Sequence, residues 1–438
     1  MKINASQTLP KRIKPQHMLI IGMIVVTIVL GEFFTVHADE NIKGNFTLGG
    51  YGTLSYSMDD HETVAPARDI SQKPDNGFNT DSTFKLDSRL GLHAYYHFSD
   101  TLDFVAQGVL RDQVNLTFLN SMELAYVEFK AFPQINVRAG RFGYDAFLMS
   151  DTRNIGYAYT WVRPPTEFYS WIPVFSVDGI DAIWRIDSGD VQWSIKAQIG
   201  SSHTDIPVGD QDYEIETDNL RAITLSRQSG SLQVKIGYSK FTLNNEADAL
   251  SSLHQGLGAV AAATSKIFSG ISREAAFLRN NTSFQEQNIT YMTLGAAYDD
   301  GIWIAQAELS HSTATSNILP HGNMAYLAVG HRLGDWTPYL MYSITHPTYD
   351  VYVSTENWEP INQEALQEQA AYILNSTRMD QQTFSLGLRW DFHTQAAVKL
   401  QWDNSYIKPY YGLWWHDLDV ATHADHINSF TFSLEFMF

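Results

Sequence analysis

Charged side chains recur at every second position in many short segments of this 438-residue sequence. In residues 83–98, Lys85, Asp87 and Arg89 share one face of a predicted strand, and the other face is largely apolar. Burying the charged face in a dry core would be very costly, whereas placing it beside water costs little. Charges that line a narrow aqueous passage sort solutes by sign and size. The chemistry that this pattern indicates is therefore selection of solutes rather than bond-making.

Alternation assigns further charged residues to the same water-facing side. The predicted basic residues of this lumen wall are Lys85, Arg89, Arg111, Arg138, Lys196, Lys235, Arg332, Arg389 and Lys399. The predicted acidic residues are Asp87, Asp103, Glu308, Asp391, Asp403 and Glu435. Since the whole chain has a formal net charge of −19, the surplus acidic residues are expected in loops and turns. The structural alternative is that several of these charges form ion-pair ladders between neighbouring strands.

Sixteen alternating segments supply the strands that would position these charges, and most have about the length of a tilted membrane-spanning strand. They are residues 44–57, 83–98, 102–113, 121–132, 135–142, 178–186, 191–201, 219–227, 231–242, 288–298, 302–312, 324–332, 336–345, 382–392, 395–404 and 427–438. The last one alternates phenylalanine and leucine with mostly polar residues up to Phe438.

The connections between these segments alternate between short turns and long loops. The turns are two or three residues rich in Gly, Asp, Ser and Pro, which are turn-forming residues. The predicted loops are 58–82, 114–120, 143–177, 202–218, 243–287, 313–323, 346–381 and 405–426. This sorting predicts an all-β fold, a 16-stranded antiparallel transmembrane β-barrel with both chain ends on the turn side. A secreted soluble β-protein acting on polysaccharide is the alternative, but a β-sandwich gives no reason for such sorting.

The N-terminus has the features of an export signal. Basic residues between positions 11 and 14 precede the apolar run 18–30, and small residues stand before Asp39. Thirteen apolar residues are too few to span a bilayer as a helix, which needs about 20. We therefore predict a signal peptide over 1–38 and a barrel domain over 39–438, with a retained membrane anchor as the alternative.

Other features narrow the class of protein. The chain has no cysteine and therefore no disulfide. Its acidic balance argues against a nucleic-acid partner, and no metal, cofactor or nucleophile motif indicates an enzyme. Aromatic residues at strand ends beside the short turns predict an interfacial girdle. They are Tyr96, Phe98, Tyr298, Trp336, Trp390 and Phe392.

Two long loops contain segments that favour helix, residues 251–278 and 363–374. Because loops usually cover the rims of barrels, we expect these segments to form a partly ordered cap. A plug or a gate is the alternative.

The whole mature length resembles the general porins of Gram-negative bacteria. The resemblance rests on the even strand number, the aromatic C-terminal strand and the long third loop that follows Arg138-Ala139-Gly140-Arg141-Phe142-Gly143-Tyr144. The runs 150–157 and 161–169 resemble an uncharacterised proteobacterial branch of these porins rather than the short acidic motif of enterobacterial members. The resemblance implies a homotrimer in the outer membrane, in contact with its lipid and lipopolysaccharide. It also implies that small hydrophilic solutes diffuse past an inward-folded third loop, 143–177.

By the same resemblance, charges at this loop form the pore constriction. The predicted wall residues Arg89, Arg111, Arg138 and Arg141 would face Asp151 and Glu167 of the loop, with Arg153 and Arg163 able to act on either side. The aromatic residues between positions 157 and 171 would either stack on sugars or pin the loop to the wall. The preference for cations or anions and the natural solute stay open. A sugar- or anion-specific channel and a loop-presenting binding or adhesin barrel are the alternative functions.

Overall fold

The computed structural model describes residues 45–60, 64–72, 82–208, 211–408, 415–416 and 425–438. Within these residues sixteen long strands form one antiparallel sheet, which closes because the first strand pairs with both the second and the last. The strands are β1 Phe46–Asp59, β2 Arg89–Ser99, β3 Leu102–Arg111, β4 Met122–Phe132, β5 Ile135–Gly143, β6 Ser176–Ser188, β7 Val191–Val208, β8 Gln211–Ser229, β9 Leu232–Leu243, β10 Asn288–Asp299, β11 Trp303–Ala314, β12 Gly322–His331, β13 Trp336–Pro347, β14 Gln381–His393, β15 Ala396–Ile407 and β16 Asp425–Met437. The predicted 16-stranded barrel is confirmed, and the predicted signal peptide lies outside the described residues.

Period-two alternation sorts the side chains between the two faces of the barrel. Apolar residues on the outer face are exposed, among them Leu92, Ile180, Ile199, Ile223, Leu294, Leu340, Leu400 and Phe430. The predicted girdle residues at the end of the barrel with the short turns (the turn end) are also accessible, and the rings of Trp336 and Trp390 stack with centroids 5.0 Å apart. The inner face carries charged and hydroxyl side chains together with apolar residues, such as Phe241, Tyr291 and Met341, that pack against the loops inside. A closed barrel with an apolar outer belt is the arrangement expected in a membrane.

Two glycines of β1 make room for the last aromatic residues of the chain. A Cβ added to Gly50 would come within 2.3 Å of the Phe438 ring, and one added to Gly52 within 2.3 Å of the Phe436 ring. The backbones of Gly50 and Phe438 exchange two hydrogen bonds, of 2.8 and 3.0 Å. The aromatic C-terminus therefore packs over the seam at which the barrel closes.

Two predicted boundaries differ from the structure in a way that moves whole segments. Strand β2 begins at Arg89 rather than at residue 83, so Lys85 lies in the preceding turn, exposed, and is not part of the wall. The predicted loop 202–218 is instead mostly strand, because β7 and β8 pair as far as Val208 and Gln211. Inward-facing Ile215 continues the alternating pattern and packs in the protein core, which stabilises this extension.

The opposite end of the barrel (the loop end) has helices in its loops. They are α1 Phe118–Ser121, α2 Thr166–Tyr169 in the third loop, α3 Ser251–Thr264, α4 Ser269–Asn281 and α5 Glu364–Ser376. The last three confirm the predicted helical segments and form a cap whose apolar residues join the core cluster of the third loop. None of the helices in the described part of the chain has the length and apolar character needed to cross a bilayer.

Buried Glu274 of α4 holds this cap together. Its carboxylate accepts hydrogen bonds from the side chains of Tyr352 (2.8 Å), Trp358 (2.7 Å) and Gln367 (2.7 Å) and from the backbone N–H of Thr355 (2.6 Å). These donors come from residues 352–358 and from α5, so one side chain ties two helices to the connecting segment.

We expect acidification to loosen the cap. Burial alone would raise the pKa of Glu274, but the hydrogen bonds favour the carboxylate and hold the pKa below its usual value. The stability that the ionised group contributes is therefore fully present above the ordinary glutamate pKa and is lost as the pH falls through the lowered one. Hydrogen-exchange protection in α4 and residues 352–358, taken relative to the intrinsic exchange rate at each pH, should fall between pH 6 and pH 3. Protection should be low at both pH values in Glu274→Gln, and the exposed-site control Glu368→Gln should behave like wild type. A fall in protection with pH that persists in Glu274→Gln would contradict this role.

Candidate pore constriction

The third loop, between β5 and β6, lies inside the barrel. Its aromatic side chains Phe147, Trp161, Phe168, Tyr169 and Trp171 are buried. Phe147 packs edge-on against Tyr291 of β10, and Phe168 against Tyr326 of β12, with ring centroids 6.1 and 5.2 Å apart. These rings pin the loop to the inner wall, which is one of the two roles considered for them.

The basic residues of the wall hold the backbone of this loop. Four of them donate to its carbonyl oxygens: Arg89 to Asn154 (2.6 Å), Lys235 to Phe147 (2.8 Å), Arg389 to Tyr157 and Tyr159 (2.9 and 2.8 Å), and Lys399 to Gly156 and Trp161 (2.7 and 2.8 Å). Lys399 is fully buried. Because these cations bind the loop directly, they keep it in the lumen.

A buried carboxylate fixes the start of the loop. Asp145 forms ion pairs with Lys196 of β7 (2.8 Å) and with Lys235 of β9. Its backbone N–H also donates to the side chain of Gln198 (3.0 Å). Two lysines share this one carboxylate, so its loss would leave Lys235 without an ion pair and Lys196 with only the exposed Asp151 at 3.9 Å.

Buried Arg163 fixes the middle of the loop. Its guanidinium pairs with Asp87, beside β2, at 2.7 Å and with Asp403 of β15 at 3.0 Å. Arg68, from the connection between β1 and β2, pairs with the same Asp87 at 2.6 Å and donates to the Arg153 carbonyl at 2.6 Å. Arg68 was not predicted as a site residue because it lies in an irregular segment without periodicity.

Glu167 is fully buried and does not face the arginines. It accepts hydrogen bonds from Ser343 (2.5 Å), Gln381 (2.6 Å) and Thr383, which belong to β13 and β14. This carboxylate therefore docks the loop on a wall of hydroxyl and amide groups.

The other predicted constriction residues have separate partners. Arg89 and Arg111 lie opposite each other on β2 and β3, and Arg111 pairs with Asp69 at 3.1 Å. Arg138 pairs with buried Asp181 directly across β5 and β6, as the ladder alternative expected.

Arg153 and Asp151 of the third loop, both predicted at the constriction, each have a close neighbour. Arg153 lies 4.2 Å above the Phe175 ring. The Asp151 side chain is 66% exposed and lies 3.9 Å from Lys196. Within the described residues no ion pair joins Arg89, Arg111 or Arg138 to either loop carboxylate, so the expected opposition across an open passage is not formed.

Arg141 was wrongly placed in the constriction. Its neighbour Phe142 points inward, fully buried in the core, so Arg141 points outward. There it pairs with Asp178 (2.7 Å) and contacts His203 (2.8 Å). Arg332 also departs from its predicted place on a strand, since it follows the end of β12 and pairs with Asp299 at 2.5 Å.

The open space inside the barrel is uneven. A polar cavity of about 470 Å³ at the turn end is lined by Tyr157, Thr160, Gln306, Thr337, Arg389 and Asp391, among others. Between the loop and β13–β15, a cavity of about 20 Å³ is lined by Glu167, Ser343, Thr383, Ser385 and Ser405, among others. The second volume holds about one water molecule. The third loop thus lies between the polar vestibule at the turn end and a cavity that holds about one water molecule.

Comparisons with known proteins find matches among solved structures. No protein-family model matches the sequence, and no curated protein matches it. Among solved structures, OmpF of Salmonella typhi in complex with daunomycin matches with a TM-score of 0.50, 11% identity, and coverage of 90% of this chain and 98% of that one. An anion-selective porin from Comamonas acidovorans matches with a TM-score of 0.48, 12% identity, and coverage of 90% and 99%. A loop-deletion mutant of OmpT, an outer-membrane protein of Vibrio cholerae, matches with a TM-score of 0.45, 11% identity, and coverage of 90% and 100%.

A sequence identity of 11–12% to these structures supports a likeness of fold only. A closed sixteen-stranded barrel, an apolar outer belt, an aromatic girdle at the turn end and an inward third loop are all present in the described residues. The chain therefore has the fold of the general porins of the Gram-negative outer membrane.

Proposed function

We propose that the protein is a non-enzymatic outer-membrane channel that passes small hydrophilic solutes and ions, with the third loop, 143–177, as its constriction. The observation that supports it best is the loop itself, which basic side chains of the wall hold inside the lumen of a lipid-facing barrel. Because the spaces beside the loop are of water size, we expect low conductance while the loop is docked.

The proposal includes the cellular setting. Residues 1–38 would direct export, and residues 39–438 would form the barrel in contact with outer-membrane lipid and lipopolysaccharide. A homotrimer would bury part of the apolar belt between copies of the chain. Chemical cross-linking of the purified protein in detergent tests the trimer, and a monomer at all protein concentrations would contradict it.

Planar-bilayer recording tests the channel. The purified mature protein should give small, stable conductance steps in potassium chloride. A protein that stays silent, and that stays silent after the third loop is removed, is not a channel.

A second candidate is a binding or adhesin barrel, favoured by the ordered cap at the loop end. The cap exposes apolar side chains at Ile267 (77%) and Val353 (72%). Under this view, deleting the helices α3 and α4 should abolish the binding of a partner to cells and leave conductance unchanged.

A third candidate is a channel specific for a sugar or an anion, which the polar vestibule at the turn end favours. A solute that binds there would reduce the ion current when it is added to the bilayer chamber.

Exposed Asp151 should influence ion preference. The carboxylate is accessible inside the barrel, so Asp151→Asn should shift the reversal potential in a salt gradient toward anions. We expect a change in permeability ratio of up to about fivefold, since a unit charge at 4 Å acts with about 1 kcal/mol in water. Arg141→Gln is the matched control because Arg141 faces outward and should leave the reversal potential unchanged. An equal shift in both variants would mean that surface charge, not the lumen, sets the preference.

A further inference from the structure

Two cations lie side by side on the outer wall of the barrel. Arg221 of β8 and Lys240 of β9 are direct partners in the strand register, and both are exposed. Among the residues that the structure describes, neither has a carboxylate within ion-pair distance. Like charges directly opposite each other on antiparallel strands are destabilising, so this pair favours an anion between its members.

The pair marks the border of the apolar belt. Toward the turn end, the next outward residues are Ile223 on β8 and Tyr238 and Ile236 on β9, which are 51%, 42% and 52% exposed. Arg221 and Lys240 are thus the first charged side chains above the belt, at the level where lipid headgroups begin.

A bulge in β8 turns Arg221 outward. Between the loop end and the bulge, odd-numbered residues such as Ile215 and Thr217 face inward, whereas past it even-numbered Leu220 and Ala222 do. The register shifts between Asp218 and Arg221, where Asn219 has a φ of 52°, a conformation that asparagine adopts more readily than most residues. Without this extra residue the alternation would direct Arg221 into the lumen.

The surroundings fit one class of ligand. Three acids of β8 face outward on the loop-end side of the pair: Glu214, Glu216 and, at the bulge, Asp218. In the described structure none of them lies within ion-pair distance of Arg221 or Lys240. A phosphate group can accept a forked pair of hydrogen bonds from a guanidinium and one more from an ammonium. The apolar residues directly beside the pair suit acyl chains rather than water.

We infer that Arg221 and Lys240 bind the phosphate group of a phosphorylated lipid in the external leaflet, whose acyl chains lie against Ile223, Ile236 and Tyr238. This inference rests on the proposed place of the barrel in the outer membrane, but not on conduction. The lipid would relieve the repulsion between the two cations and fix its own headgroup on the barrel wall.

Native mass spectrometry of the full mature protein in detergent tests the site, with diphosphorylated lipid A as the probe. Each basic residue at a charged lipid surface contributes about fivefold, so Arg221→Gln/Lys240→Gln should weaken lipid A retention roughly thirtyfold. Arg227→Gln is the matched control: Arg227 lies at the turn end of the same strand, over the Trp193 ring at 5.7 Å, and its loss should leave retention unchanged.

Three results would overturn the inference. They are equal retention of dephosphorylated lipid A, equal retention by the double variant, and full displacement of the lipid by millimolar inorganic phosphate, which would indicate an ion site only. The melting temperature of the double variant without lipid tests whether it is folded. Because the substitutions remove the repulsion between Arg221 and Lys240, this temperature should equal or exceed that of wild type. The outcome is independent of the bilayer recordings, so failure of the lipid site and failure of the channel are distinguishable.

Discussion

Replacing residues 145–174 with a short glycine–serine linker should raise single-channel conductance about tenfold or more. A barrel of sixteen strands encloses a lumen wide enough for an aqueous channel, and here the third loop occupies it. Removing the loop would return the side chains of Lys235, Arg389 and Lys399 to water, where they need no buried partner. Planar-bilayer recording of wild type and variant under the same salt gives the comparison.

The matched control is deletion of residues 251–281, which removes α3 and α4 from the cap but leaves the third loop on its wall contacts. Its conductance should stay within about twofold of wild type, since the narrow spaces beside the loop are unchanged. Both variants should migrate in electrophoresis, without heating, as folded barrels like wild type. If cap deletion opened the channel as much as loop replacement, the barrier would lie at the cap and the loop would not be the constriction.

The barrel was predictable because its information is local. Whether a residue such as Ile199 faces lipid or the lumen depends on its parity within one strand, and the apolar belt follows from that alone. The same parity places Arg138 and Arg141, three positions apart, on opposite faces of β5. The outward direction of the Arg141 side chain was therefore predictable from the sequence.

The partners of the constriction residues were not predictable, because they depend on the path of an irregular loop. Lys399 was correctly assigned to the inner face, yet nothing in its strand indicates that it reaches the carbonyls of Gly156 and Trp161. Arg163 joins Asp87 to Asp403, two residues far apart in the chain that only the closed barrel brings together. The resemblance to porins predicted an inward loop but not how completely side chains of the wall bind it.

The start of the third loop should be released by Asp145→Asn. The substitution removes the negative charge that lies between Lys196 and Lys235, both of them buried, while keeping the size of the side chain. Removing one partner of a buried ion pair costs about 3–5 kcal/mol, and this loss acts on the docked state only, because both wall lysines face water once the loop leaves the lumen.

We therefore expect the Asp145→Asn channel to open transiently to the conductance of the linker variant. Its open probability should be at least about tenfold above that of wild type, since about 1.4 kcal/mol already corresponds to a factor of ten. Asp151→Asn is the matched control in the same loop, because its exposed carboxylate lies 3.9 Å from Lys196 and contributes little to docking. Adding Lys196→Met to Asp145→Asn removes one of the two cations left by the substitution while the Lys235 bond to the Phe147 carbonyl remains, and should restore part of the closed state. A quiet Asp145→Asn channel with wild-type resistance to proteolysis within residues 145–174 would show that the aromatic packing of Phe147 and Phe168, rather than the buried charges, keeps the loop in the lumen.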